Sequence, residues 1–143
     1  MALVVQKYGG SSVGTIEKIK NVARRVAKRR ENGDQVVVVV SAMGKTTNML
    51  VEMAKEISDN PSKREMDMLM STGEQISISL LSIALKELGF ESVSMTGFQA
   101  GIHTGGRHNK ARITDIEISN VKKELDNGNI VVVAGFQGVN EKG

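Results

Sequence analysis

The sequence has 143 residues, a size at which one domain buries a sizeable core. Apolar residues at 40% exclude a disordered chain, and aromatics at 3% with no Trp exclude a stacking platform for single-stranded nucleic acid. The net charge is a modest +3, and the absence of cysteine excludes a disulfide framework and a thiolate metal site and suits a reducing, cytoplasmic setting.

The start, MALVVQKYGG, has no charged leader before its apolar run. No unbroken apolar stretch approaches the roughly 20 residues that span a bilayer, so no membrane association is expected. Leu3 to Gln6 reads as a short strand. Lys7-Tyr8-Gly9-Gly10-Ser11-Ser12 follows it and leads toward a helix. Glycines let backbone N–H groups approach a ligand, and a helix start adds unpaired donors and positive dipole, so one reading is an anion site. The other is an ordinary strand-to-helix turn with a good cap, and the local pattern leaves both open.

Ile16, Ile19, Val22, Ala23, Val26 and Ala27 recur at helical spacing, with Thr15 as N-cap and Asn32-Gly33 as stop. Seven of the 19 basic residues lie between Lys18 and Arg30. They fit a solvated helix face with cations toward the C-terminal end, where the dipole favours them. A face for nucleic acid is the alternative. Val36 to Val40 is all valine, the pattern of a strand covered on both faces in a parallel sheet. Thr47 to Ser58 reads as the next helix, with Thr46 as its cap. Gly44-Lys45-Thr46 suggests a P-loop, but the required glycine five residues earlier is Val39, and no G-x-G-x-x-G is present.

Pro61 opens a third helical region to Leu88, broken or bent near Ser71-Thr72-Gly73, which sets Glu74 near a helix start. Ser92 to Met95 is a short strand. Thr96 to Arg112 reads as a long glycine-dense loop, with His103 and His108 as loop residues and no metal site. Its methionine neighbours Met66, Met68, Met70 and Met95 read as core filler. Arg112 to Ile116 is a weak strand, Glu117 to Asp126 a helix ended by Asn127-Gly128, and Ile130 to Ala134 a buried-type strand. Strands alternating with helices predict an α/β fold with a mainly parallel sheet. If the strands are parallel, Tyr8-Gly9-Gly10, Ser41-Ala42-Met43, Thr96-Gly97 and Gly135 to Gly138 converge on one rim.

Four segments together resemble a known family. KYGGSSV (Lys7 to Val13), VVSAMGKTTNML (Val39 to Leu50), STGEQIS (Ser71 to Ser77) and VVAGFQGVNEKG (Val132 to Gly143) are similar, in order, to the signatures of aspartate kinases in the amino-acid kinase superfamily. The resemblance implies a three-layer αβα fold and ATP-dependent, Mg²⁺-assisted phosphorylation of the L-aspartate side-chain carboxylate. That is the first step toward lysine, threonine, methionine and isoleucine. It implies that residues 1–143 are the N-terminal half of a kinase domain, inactive alone and homo-oligomeric in the full-length protein, with no nucleic acid or membrane partner. It puts Lys7 on the ATP phosphates as a catalytic cation, with Gly9, Gly10 and Ser11 around them. It puts Ser41, Thr46 and Glu74 on the acceptor, and it assigns no metal ligand. Another kinase of the same superfamily, or a non-catalytic module built on the basic helix, is the alternative. Ile130 to Phe136, close to the chain end, is expected to leave an open sheet edge and promote self-association.

Overall fold

The computed structural model of the chain describes residues 2–105, 112–116 and 118–135. The elements run β1 (Leu3–Tyr8), α1 (Ile16–Glu31), β2 (Gln35–Val40), α2 (Gly44–Ile57), α3 (Lys63–Glu87), β3 (Ser92–Met95), β4 (Ile102–Gly105), β5 (Arg112–Ile116), α4 (Ser119–Asp126) and β6 (Ile130–Ala134). The main sheet has the order β1-β2-β6-β3, and every pairing in it is parallel. The fold is α/β and three-layered, as expected.

Pattern explains the layers. On β2, Val36, Val38 and Val40 point one way and are fully buried with Ile19, Val22 and Val26 of α1 and Ile78, Leu81 and Leu85 of α3. Val37 and Val39 point the other way, onto a smaller cluster with Leu125 of α4 and Val131 and Val133 of β6. A strand apolar on both faces is needed because helices cover both. Each such fully buried side chain is worth about 1.5–3 kcal/mol. Thr15 caps α1 as predicted, its hydroxyl accepting from the Lys18 N–H at 3.2 Å, and Gly33 leaves the helix at φ +90°.

Four expectations change. β6 lies between β2 and β3 and is wholly buried, so among the described residues the edges of the sheet are β1 and β3, and the strand that opens at Ile130 is not an edge. The predicted break at Ser71-Thr72-Gly73 is absent, because α3 runs unbroken over 25 residues. Ser71 and Thr72 return their hydroxyls to the Met68 and Leu69 carbonyls, which satisfies them inside the helix. Helix α2 starts at Gly44, so Thr46 sits in its first turn, and the cap position belongs to Met43. Part of the expected loop from Thr96 to Arg112 is strand: β4 and β5 form a separate antiparallel pair with a register shift between His103 and Thr104. The His103 side chain, His108, and Phe136 to Gly138 lie outside what is described.

By length and composition α3 is also apolar enough to cross a membrane, although its apolar residues do not form an unbroken run. Its buried residues Gly73, Ser77, Ile78, Leu81 and Leu85 are spent on the interior, against α1, α2 and the sheet.

Candidate functional site

The parallel sheet brings the C-terminal ends of its strands to one rim. The Ser41 N–H donates to the Tyr8 carbonyl at 3.2 Å, and the Gly135 N–H to the Val40 carbonyl at 2.7 Å. The ends of β1, β2 and β6 are thereby tied side by side, and β3 ends beside β6. The predicted convergence holds for the described residues.

The glycine-rich segment after β1 is a built turn. The Ser12 N–H donates to the Gly9 carbonyl at 3.0 Å, and Val13 is fully buried and anchors the loop in the core. Lys18, one turn into α1, donates from Nζ to the Ser11 carbonyl at 3.0 Å. The two glycines differ. A Cβ on Gly10 would stand 2.9 Å from the Ala42 carbonyl oxygen, a contact no side chain tolerates, whereas a Cβ on Gly9 would meet nothing within 4 Å. Gly10 therefore locks the first loop onto the second, and Gly9 faces open space.

Ala42 is also where α3 arrives. A Cβ on Gly73 would lie 3.1 Å from the Ala42 methyl, 3.5 Å from Leu50 Cδ1 and 3.5 Å from Thr46 Cγ2. A glycine inside a helix costs up to about 1 kcal/mol relative to alanine, so a packing reason is expected, and this close approach supplies one. The junction sets Gly10, Ser41, Ala42, Thr46 and the next residue of α3, Glu74, in one neighbourhood. The sequence reads Gly73 as part of a helix break and Ala42 as part of a rim loop, and the packing of one on the other is not legible there.

Glu74 is not at a helix start. It lies in the middle of α3, so no helix-end dipole accounts for it. Its Oε2 is shut off from solvent and has no hydrogen-bond partner among the described residues. Burial pushes its carboxyl up from 4.5 to about 7. The residue as a whole is half-buried, and a carboxyl oxygen buried without a donor costs stability, so it calls for a reason.

Lys7 approaches from the other side. Its register partner on β2 is Val39. Alternation puts Tyr8, which packs on the α1–α3 core, on one face and Lys7 on the opposite face, where it is exposed. Ser11 is exposed and Ser41 half-buried. The first turn of α2 has no side-chain cap, so its N–H groups join the same rim. The rim thus offers a lysine and backbone donors for an anion, and the helix packed on it carries the half-buried Glu74 carboxyl, a group suited to a cation.

Among the described residues no group of three His, Cys, Asp or Glu could hold a metal ion. An open cleft of about 370 Å³ lined by Arg30, Phe90, Glu91 and Asn129 lies at the far end of the strands, where β3 and β6 begin, and contains none of the predicted site residues. The basic face of α1 is partly engaged within the chain. Arg24 pairs with Glu17 at 3.8 Å, Arg29 with Asp34 at 3.2 Å, and Arg30 donates to the Gly128 carbonyl at 3.4 Å.

Comparison with known proteins places this geometry in context. The model of the amino acid kinase family matches residues 2–143. The chain is 61% identical over 141 residues to aspartokinase 2 of Bacillus subtilis, covering 99% of this chain and 35% of that protein. The crystal structure of aspartate kinase from Synechocystis superposes with a TM-score of 0.80 at 49% identity, over 96% of this chain and 22% of that one. Aspartokinase III of E. coli, solved in complex with aspartate and ADP, superposes at 0.83 with 20% identity, over 100% of this chain and 42% of that one, a likeness of fold. The chain spans about a third of the length of the curated relatives it matches, 35% in the first.

Proposed function

This chain belongs to the amino acid kinase family, and from that membership we propose that it is the N-terminal part of an aspartate kinase. The full-length enzyme transfers the γ-phosphoryl group of ATP to the side-chain carboxylate of L-aspartate. The observation that carries this reading is Glu74, whose Oε2 is buried without a hydrogen-bond partner among the described residues, next in sequence to the Gly73 contact with Ala42. An α-amino acid supplies the missing partner in its ammonium group. High identity to proteins named aspartokinase supports the same substrate class.

The acceptor carboxylate is ionised at pH 7 and needs no general base, since aspartate has a reference pKa of about 3.9. The barrier is electrostatic, because an anion must attack a polyanion. Positioning and charge compensation then supply the catalysis. Lys7 offsets charge on the phosphates, and the amides of Gly9, Gly10 and Ser11 cradle them. Ser41 and Thr46 hold the acceptor beside Glu74. Mg²⁺ bound with the nucleotide would supply further neutralisation of phosphate charge. The full-length enzyme is cytoplasmic and homo-oligomeric in this reading.

An acceptor screen on the full-length enzyme tests the proposal. With ATP and Mg²⁺, L-aspartate is expected to drive ADP release. N-acetyl-L-glutamate, whose amine is acylated and carries no charge for Glu74, is not. Turnover of the acylated acceptor in place of L-aspartate overturns the assignment.

A further inference from the structure

We propose that capture of the acceptor at Glu74 is coupled to release of one proton, which makes the site's affinity for an α-amino acid pH-dependent below neutrality. The inference rests on the reading of Glu74 as the ammonium partner and extends it. It begins with geometry. Glu74 is half-buried in the middle of α3, one residue after the close approach of Gly73 to Ala42, Thr46 and Leu50, so its backbone is fixed by a packed helix. Its Oε2 is buried and bonded to nothing among the described residues.

Among the described residues no cation is placed to hold it ionised. The elements packed on α3 are α1, α2, β2, β3 and β6. The strands among them carry no charged side chain. The charged residues of α2, Lys45, Glu52, Lys55 and Glu56, are all exposed. Those of α1 are exposed except the half-buried Arg30, which is engaged with Gly128. On α3 itself the nearest charged residue is Asp67, two turns away, and at the rim Lys7 is exposed. Burial is the one cause that moves the Glu74 carboxyl, up to about 7, and no neighbouring charge enters.

The consequence is a proton balance. In the empty site at pH 6 Glu74 carries its proton about nine-tenths of the time, given a value near 7. The ammonium of the acceptor keeps its own protons at that pH and binds the ionised form. The Glu74 proton therefore leaves to solvent as the ammonium arrives. Below pH 7 the apparent dissociation constant should rise about tenfold per pH unit, and above it should be flat.

Isothermal titration of the full-length enzyme with L-aspartate tests this, at pH 6 and pH 8, each in two buffers of unequal ionisation heat. The expected result is about 0.9 proton released at pH 6, about 0.1 at pH 8, and binding roughly tenfold weaker at pH 6. In Glu74→Gln binding should be weaker at both values and the release at pH 6 should vanish. Zero release from the wild type at pH 6, or release that persists in Glu74→Gln, overturns the coupling while leaving Glu74 as the ammonium partner. Aspartate affinity unchanged in Glu74→Gln overturns that underlying assignment as well.

Discussion

At the residue scale the chain concentrates its unusual chemistry in Glu74. A carboxyl whose folded value is raised from 4.5 to about 7 binds more protons folded than unfolded between those values. Stability from this group is therefore present below about pH 4.5 and lost as pH rises through 7. Glu74→Gln should accordingly raise the melting temperature of the full-length protein more at pH 8 than at pH 5. Thermal melts at both values check it, and an equal change at both contradicts the buried-carboxyl account. Lys7 predicts a kinetic effect instead. Lys7→Ala should lower kcat by roughly 10²–10³, by analogy with loss of one transition-state donor, and change the aspartate KM little. Steady-state assays with aspartate varied would read this.

At the scale of elements, two glycines hold the site together, and their substitution should separate assembly from chemistry. Gly10→Ala drives a Cβ to 2.9 Å from a backbone oxygen that cannot rotate away. It should displace the first loop from the second and cost at least tenfold in kcat/KM for ATP. Gly73→Ala gains up to about 1 kcal/mol of helix propensity but meets the Ala42 methyl at 3.1 Å. Overpacking costs about 1–3 kcal/mol, so net destabilisation is expected, read as a lower melting temperature. These contacts mark the limit of sequence reading. The valine run of β2, the cap at Thr15 and the parallel order were legible, because periodicity and capping are local. The unbroken α3 was not, since Ser71, Thr72 and Gly73 are poor helix formers that tertiary contacts override. The pairing of β4 with β5 was missed because glycines masked a short antiparallel pair. The place of Gly73 against Thr46 follows from α3 packing on α2, which no local pattern encodes.

At the scale of the whole molecule, β1 and β3 are the sheet edges, and β1 presents Leu3 and Val5 at 59% and 63% exposure. An edge strand with apolar side chains pairs readily with other chains. The 143-residue chain in isolation should therefore sediment with concentration-dependent association. Val5→Lys should reduce that association, and a concentration-independent monomer in the unchanged chain would contradict the edge argument. The central claim concerns division of labour across the rim, with Lys7 serving phosphate and Glu74 serving the acceptor's ammonium. It is tested most directly by the KM for L-aspartate in full-length Glu74→Ala. A contact to a charged group of about 1.5–3 kcal/mol, present in ground and transition states alike, corresponds to a rise of about ten- to hundredfold. The account predicts that rise with the KM for ATP nearly unchanged, and an unaltered aspartate KM would contradict it.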